Sequence, residues 1–214
     1  MNREDWYRRS TWTERDRDEF NARLKRSRGA ANKAQYLRIQ ALYLAEAGCH
    51  EGAIELLDQM FAEFAERIQL AQAHAQKADS LAKLGQTETA IREYRAALQA
   101  ERDFPNVRTQ AWLDFGWFVV EKQLTALYSE VLQVLEEFRD NAGMKLPAIE
   151  YRYSAIQSLL ADARGERIAA REFSKQALAE ASKSHSGLQY HPMIGLVGPE
   201  RAKFESRLEA LAGS

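Results

Sequence analysis

Cysteine is almost absent from this sequence, which has a single thiol, Cys49, among 214 residues. One thiol cannot form a disulfide within the chain, so a small scaffold held together by internal disulfides is excluded. Long apolar runs are missing too, since no stretch approaches the roughly 18–20 residues that a membrane-spanning helix requires. The first ten residues, MNREDWYRRS, carry too much charge for a signal peptide. These features predict a cytoplasmic protein that does not insert into a membrane.

Net charge and recognisable catalytic motifs are also scarce. The sequence has 30 basic and 31 acidic residues and a formal net charge of −1, so no overall field attracts nucleic acid or an anionic membrane. It contains no phosphate-binding P-loop, no glycine-rich dinucleotide fingerprint and no G-x-S-x-G motif. No spacing of cysteine and histidine is typical of a zinc site. We therefore expect neither an enzyme nor a cofactor or metal site.

The residues that are abundant favour helices. Only 4 prolines interrupt a chain rich in alanine, leucine, glutamate, arginine and glutamine. A glycine followed five residues later by an alanine recurs between amphipathic stretches, where glycine can end a helix in the left-handed conformation. The three pairs are Gly48/Ala53, Gly85/Ala90 and Gly165/Ala170. A fourth hinge has Gln123 in place of the glycine, and successive hinges lie 37 to 42 residues apart. Helices joined by such short turns are antiparallel, so the sequence predicts about four helical hairpins.

Parts of these hairpins carry a known repeat pattern. The residues concerned are Trp112, Phe115, Gly116 and Val119 in one hairpin and Ala90, Tyr94 and Ala97 in another. They resemble the W-x2-L-G-x2-Y and A-x3-F halves of the tetratricopeptide repeat (TPR), and the resemblance covers residues 33–180. It implies an all-α, right-handed superhelix, a TPR-like solenoid. Such stacks of hairpins usually act as binding surfaces.

The two ends of the chain differ from the hairpins. Thr13, followed three residues later by Asp16, predicts the start of a helix that continues to about Ser27, with Gly29 ending it. Residues 1–32 are interpreted as an N-terminal arm and capping helix, and residues 33–180 as the hairpins. Residues 181–214 are expected to form an irregular C-terminal loop and a short helix beginning near Pro199. The sequence shows no internal boundary, so we expect a single domain over residues 1–214.

The TPR resemblance implies a binding groove lined by the first helix of each hairpin. The expected groove residues are Gln35, Arg38 and Leu42 in the first hairpin, Gln72 and Asp79 in the second, Gln110, Leu113, Trp117 and Glu121 in the third, and Arg152 and Leu159 in the fourth. Trp117 with Arg38 and Arg152 would suit a peptide with an apolar anchor and an acidic group. The alternative is that Trp117 packs between hairpins, because residues 112–120 are apolar on almost every side.

Aromatic and basic residues interleave near the N-terminus. Trp6, Tyr7 and Trp12 lie among several arginines, a combination that can bind nucleic acid through phosphate contacts and base stacking. Acidic residues in the same stretch cancel much of that charge. We therefore expect the two tryptophans to close the end of the solenoid, and no nucleic-acid partner.

Residues 185–198 cannot form a regular helix, since they contain three glycines and a proline. His185 and His191 could belong to a metal or acid–base site, although further ligands would have to come from elsewhere. The interpretation we favour is a strand-like tail that packs along the last hairpins. Its expected apolar contacts are Leu188, Tyr190, Ile194 and Leu196. A tail of this kind could also occupy the groove and regulate access to it.

Two other residues invite a chemical interpretation. Cys49 precedes His50, and such a pair could form a thiolate with its base, but neighbours in sequence do not automatically meet in space. We expect Cys49 to be a small residue in a turn. His74 occupies the tryptophan position of the TPR pattern, which predicts packing.

These predictions converge on a protein- or peptide-binding scaffold or adaptor that acts through the concave face of a TPR-like solenoid. Two alternatives stay open, a regulator that senses a peptide and a partner protein that neutralises a toxin or nuclease. A homodimer is open as well, because an incompletely capped solenoid leaves an apolar end.

Overall fold

The computed structural model describes residues 5–139 and 145–213 of the chain. It is 75% helix, and no strand occurs in these ranges, so the all-α prediction is confirmed. The α-helices are α1 (Glu14–Arg26), α2 (Ala30–Glu46), α3 (His50–Glu63), α4 (Arg67–Lys83), α5 (Thr87–Asp103), α6 (Ala111–Glu121), α7 (Tyr128–Arg139), α8 (Pro147–Ala163), α9 (Arg167–Ala181) and α10 (Glu205–Gly213). Short 3-10 helices lie at Asp5–Tyr7, Thr125–Leu127 and Pro199–Lys203. None of the helices described is both long enough and apolar enough to cross a bilayer.

The hinges between helices have the backbone conformation that the glycines predict. Gly48, Gly85 and Gly165 have positive φ angles of 81°, 75° and 75°. A backbone N–H just after each hinge donates back into the preceding helix, as Gln86 N does to Leu81 O at 2.9 Å. Such a bond satisfies a carbonyl that the end of the helix would leave unpaired. The flanking helices pack as pairs, α2 with α3, α4 with α5, and α8 with α9.

The fourth hinge reaches the same conformation without a glycine. Gln123 has a φ of 53°, and Leu124 N donates to Val119 O at 3.0 Å. The left-handed region costs an ordinary residue about 1 kcal/mol or more relative to a right-handed conformation. The spacing of the hinges therefore located this turn, although its residue type did not.

Helix α1 begins where the capping motif predicts. Thr13 Oγ1 accepts from Asp16 N at 3.2 Å, and Thr13 N donates to Asp16 Oδ2 at 2.9 Å. The backbone bond from Thr13 is the main reason that the pKa of Asp16 falls to about 2. The other end of α1 differs from the prediction, because the helix ends at Arg26. Gly29, with a φ of 81°, lies immediately before α2 and does not end α1.

The chain divides into two compact units, Met1–Asp114 and Phe115–Ser214, and the division falls inside α6. The single domain expected from the sequence stays a prediction. In the first unit, Trp6 and Tyr7 are buried, and the Trp6 ring lies 5.3 Å from that of Phe20. Trp12 packs on α3 at Gly52, where an added Cβ would lie 2.7 Å from the indole Cδ1. Only a glycine leaves room for the indole ring at that position.

The second unit has its own core. Tyr151, Ala155, Ala177 and Leu208 form a buried cluster in which α10 packs against α9 and also contacts α8. A polar clasp joins α8 to α9 within it. Ser158 Oγ donates to Ala170 O at 2.9 Å and lies 2.6 Å from the hydroxyl of Ser174. The clasp satisfies both hydroxyls, which is required because the two serines are fully buried.

Residues 182–204, between α9 and α10, form the C-terminal segment. The prediction of a strand-like tail is wrong, because turns and bends lead into the 3-10 helix that begins at Pro199. Tyr190 and Ile194 are 81% and 53% exposed and do not make the apolar contacts expected of them, whereas Leu188 and Leu196 are half-buried. Glycines and a proline turn the backbone here, so its side chains do not alternate between two faces as a strand requires.

Candidate functional site

The predicted groove residues divide between the two units, and each set is described by itself. In the first unit α2 and α4 contact one another. Gln35 and Asp79 are exposed, and Arg38, Leu42 and Gln72 are half-buried. Spacings of three, four and seven residues place them on one side of each helix. We call these five residues the first-helix face.

Arg38 is the cation of the first-helix face. Its Nε donates to Oε1 of Gln69 on α4 at 2.7 Å, a bond that links the two helices. No carboxylate among the described residues pairs with it, and burial lowers the pKa of its guanidinium. Removing a charge from water costs free energy unless an opposite charge or hydrogen bonds replace its hydration. The guanidinium of Arg38 is therefore only partly compensated within the unit.

Other polar groups of α4 differ in how far the unit satisfies them. Asp79 accepts a hydrogen bond from the hydroxyl of Tyr94 on α5 at 2.6 Å, so its carboxylate also holds the second hairpin together. Gln76, one turn beyond Gln72, has a buried Oε1 without a hydrogen-bond partner in the described part of the chain. An unpaired buried oxygen costs about 1–3 kcal/mol. The Oε1 of Gln76 is therefore an unsatisfied acceptor inside the unit.

Two of the predicted groove residues lie in the core. Leu113 of α6 is 0% exposed and Leu159 of α8 is 3% exposed, so neither side chain can contact a partner and both predictions are corrected. Burial removes their apolar surface from water, which stabilises the fold instead. Gln110 is exposed and precedes α6, where its carbonyl accepts from Leu113 N and Asp114 N at 2.9 Å each.

In the second unit the C-terminal segment contacts two of the predicted groove residues, Trp117 and Glu121. The ring centroid of Phe204 lies 4.8 Å from that of Trp117, edge to face, and Lys203 Nζ pairs with Glu121 Oε1. The guanidinium of Arg152 lies 5.6 Å from the centre of the Trp117 ring. Trp117 is half-buried against residues of its own chain, so this side of the indole is a packing surface.

Main-chain groups hold the C-terminal segment to α8 as well. Ala148 N donates to Gly195 O at 2.8 Å, and the hydroxyl of Tyr151 donates to Arg201 O at 3.1 Å. Burial raises the pKa of Tyr151 to about 12, with a smaller effect from nearby carboxylates, so the phenol remains a donor at neutral pH. The segment is therefore bound through its backbone at two points in addition to its side chains.

The aromatic residues near the N-terminus pack into the core of the first unit. Trp6 and Tyr7 are each 9% exposed, which leaves their ring faces unavailable for stacking on nucleic-acid bases. Arg9 pairs with two carboxylates of α1 at 2.7 and 2.5 Å. Its backbone N donates to Gln40 Oε1 at 3.0 Å, and its carbonyl accepts from Gln40 Nε2 at 2.7 Å. Trp6 and Tyr7 therefore pack within the first unit, while the expectation that the tryptophans close the end of a solenoid stays a prediction.

Sequence reasoning missed a polar network on α3, α4 and α5. His74 stacks on Phe61 with ring centroids 4.3 Å apart, and its Nδ1 lies 2.6 Å from Glu93 Oε2. Lys77 Nζ lies 2.8 Å from Glu93 Oε1 and 2.7 Å from Asp58 Oδ1. Burial opposes ionisation of Glu93, but hydrogen bonds from His74 and Lys77 outweigh it and lower its pKa. The packing of His74 was predictable, whereas its partners depend on how three helices align.

The remaining histidines and the cysteine form no candidate metal centre. Over the described ranges, no group of three or more histidines, cysteines, aspartates or glutamates could hold a metal ion. His185 Nδ1 accepts from Gly187 N at 2.9 Å, which is a local turn contact. Cys49 is half-buried at the N-cap of α3, as expected of a turn residue.

Comparison with protein-family models, with curated proteins and with solved structures finds no match to this chain. The resemblance to the tetratricopeptide repeat therefore rests on the residues quoted for it. Function has to be inferred from the first-helix face and the C-terminal segment themselves.

Proposed function

We propose that this protein binds a protein or peptide partner through the first-helix face of α2 and α4, as a scaffold or adaptor of TPR-like superhelical type. The observation that carries the proposal is the unequal state of the two sets of predicted groove residues. In the first unit, Gln35 and Asp79 remain exposed and Arg38, Leu42 and Gln72 half-exposed. In the second, the chain's own C-terminal segment contacts Trp117 and Glu121.

The composition of the first-helix face supports recognition of a polypeptide. Glutamine amides both donate and accept hydrogen bonds, which is what the main chain of an extended peptide requires. Leu42 adds an apolar contact, and Arg38 and Asp79 add one charge of each sign. A partner bound there would be selected by charge and amide contacts around a small apolar centre.

A photocrosslinking experiment tests this proposal. The amino acid p-benzoylphenylalanine is introduced at Gln35 on the first-helix face and, as a matched control, at Gln99, which is an exposed glutamine on α5 of the same unit. Both proteins are irradiated in the native cell, and crosslinked chains are identified by mass spectrometry. We expect one partner to be enriched at Gln35 over Gln99. Equal labelling at the two positions would contradict binding through this face.

A second candidate, a regulator that senses a peptide, is favoured by the C-terminal segment. A ligand that competes for Trp117 or Glu121 would have to displace Phe204 and Lys203 first, and displacement couples binding to a change in the position of the segment. Hydrogen exchange of residues 195–204 should then increase when the partner binds. An adaptor that binds only to the first unit would leave that exchange unchanged.

A further inference from the structure

The structure supplies carboxylates to two other half-buried arginines, Arg9 and Arg139, but not to Arg38. The Arg9 side chain, 12% exposed, pairs with Asp16 and Glu19, and that of Arg139, 25% exposed, pairs with Glu150. Arg38 is likewise half-buried, yet its one hydrogen bond among the described residues goes to the neutral amide of Gln69. A guanidinium that loses water without gaining an anion is a site for an anion from outside.

The geometry of this bond decides which side of the guanidinium remains available. Because Nε donates to Gln69, the side-on pair of nitrogens is partly used. The two terminal nitrogens have no hydrogen-bond partner in the described part of the chain and are not sealed from solvent. They form an end-on pair, whose spacing matches the two oxygens of a carboxylate.

We propose that Arg38 binds a carboxylate of a partner's peptide segment through its two terminal nitrogens, and that the amides of Gln35 and Gln72 bind the adjacent peptide groups. This inference rests on the proposed function and names the chemistry of the ligand. The face carries a single cation at this point, which suits a singly charged carboxylate better than a doubly charged phosphate.

The length of the face sets the length of the segment. Gln69 and Asp79 are ten residues apart on α4, which corresponds to about 15 Å along the helix axis. An extended peptide covers that distance with about four or five residues. The acidic group lies at the Arg38 end. The Asp79 end, where a carboxylate already accepts from Tyr94, favours a neutral or basic residue.

Peptide selection followed by a charge-deletion cycle tests the proposal. Random 12-residue peptides are selected on the full-length protein, and each selected peptide is resynthesised with every carboxylate replaced in turn by its amide. Affinities are measured by fluorescence anisotropy for the wild type, Arg38→Gln and Arg38→Lys. Arg92→Gln is the matched control, since it makes the same exchange at an exposed arginine of α5. Circular dichroism melting verifies that each variant is folded.

We expect one carboxylate of the peptide whose replacement lowers the affinity for the wild-type protein by about 10- to 100-fold. Arg38→Gln should lower the affinity for the unmodified peptide by the same factor. The two changes should not add, because they remove the same contact. The affinity of Arg38→Lys for the peptide should lie between those of the wild type and Arg38→Gln. Arg92→Gln should change the affinity by less than about twofold.

Three results would overturn the inference in different ways. If peptides are selected but neither carboxylate replacement nor Arg38→Gln matters, the Arg38 site is refuted while the proposed function stands. If phosphoserine peptides bind Arg38 more tightly than carboxylate peptides, the ligand chemistry is phosphate instead. If no peptide binds the wild type and Gln35 captures no partner in cells, the proposed function fails together with this inference.

Discussion

At single residues, the sequence predicts the backbone conformation of the hinges better than it predicts side-chain burial. The φ angles of Gly48, Gly85 and Gly165 followed from the sequence, because only glycine adopts the left-handed region at little cost. Gln123 adopts the same region at 53° and was located by spacing alone. The half-burial of Arg38 was not predictable, since it depends on how far α4 stands from α2.

Replacement of Gln123 by glycine should stabilise the protein. The native backbone already has the conformation that glycine prefers, so the variant relieves steric strain, and this outweighs the greater freedom of glycine in the unfolded chain. We expect a gain of about 0.5–1 kcal/mol in the free energy of unfolding, measured in urea. The reciprocal change Gly85→Gln should cost a similar amount. Destabilisation by Gln123→Gly would mean that the glutamine side chain makes a stabilising contact.

The pKa of Asp16 predicts a specific acid sensitivity. Its value in the folded protein, about 2, lies below the ordinary value of 3.8, so the ionised carboxylate favours the folded state above the ordinary value. That contribution declines as the pH falls from about 4 to about 2. Asp16→Asn should lower the free energy of unfolding at pH 7. The variant should also lose less of that free energy than the wild type does as the pH falls through this range, measured by urea unfolding at several pH values. Asp18→Asn, at an exposed position of α1, is the control and should keep the wild-type acid profile.

At the scale of elements, the helix boundaries depend on residues close together in the sequence. The position of the C-terminal segment depends on contacts between residues far apart in the sequence. The capping box of α1 and the hinge after α4 depend on residues within five positions of each other, so the sequence contains them. The cover of Trp117 by Phe204 joins residues far apart in the chain, through a segment without periodicity. The hairpin pattern makes no prediction for such a segment, so the sequence left open whether the segment occupies the groove.

Removal of the Phe204 ring tests how firmly the C-terminal segment is attached. Phe204→Ala deletes the edge-to-face contact with Trp117 and should lower the free energy of unfolding by about 1–3 kcal/mol. Arg207→Ala, which removes an exposed ion pair with Asp162 from the adjacent helix, should cost less than about 1 kcal/mol. Equal effects in urea unfolding would show that the ring contributes no more than a surface charge does.

At the scale of the whole molecule, each of the two compact units contains a buried hydrophobic cluster. The first unit closes its N-terminal end with aromatic residues and the second packs α10 onto α9, so each contains residues that the repeat pattern did not define. Stability in stacked helical hairpins is carried mainly by neighbouring elements. We therefore expect a lesion in one core to act mostly within its own unit.

Leu208→Ala is the variant that measures this independence. The side chain is fully buried between α8, α9 and α10, so its truncation should cost about 2–5 kcal/mol. In hydrogen exchange detected by mass spectrometry, protection should fall in α8, α9 and α10 while α2 to α5 keep wild-type protection. A uniform loss of protection over both units would show instead that the chain unfolds as one cooperative body.

The contact between Trp117 and Phe204 also gives the protein an optical reporter. Of the 4 tryptophans, Trp6, Trp12 and Trp112 belong to the first unit, and Trp117 alone belongs to the second. Its indole contacts the ring of Phe204 and the guanidinium of Arg152, so its emission depends on whether the C-terminal segment is in place. A chain in which the other three are phenylalanine would signal each release of that segment as a shift of fluorescence toward longer wavelength, without any added dye.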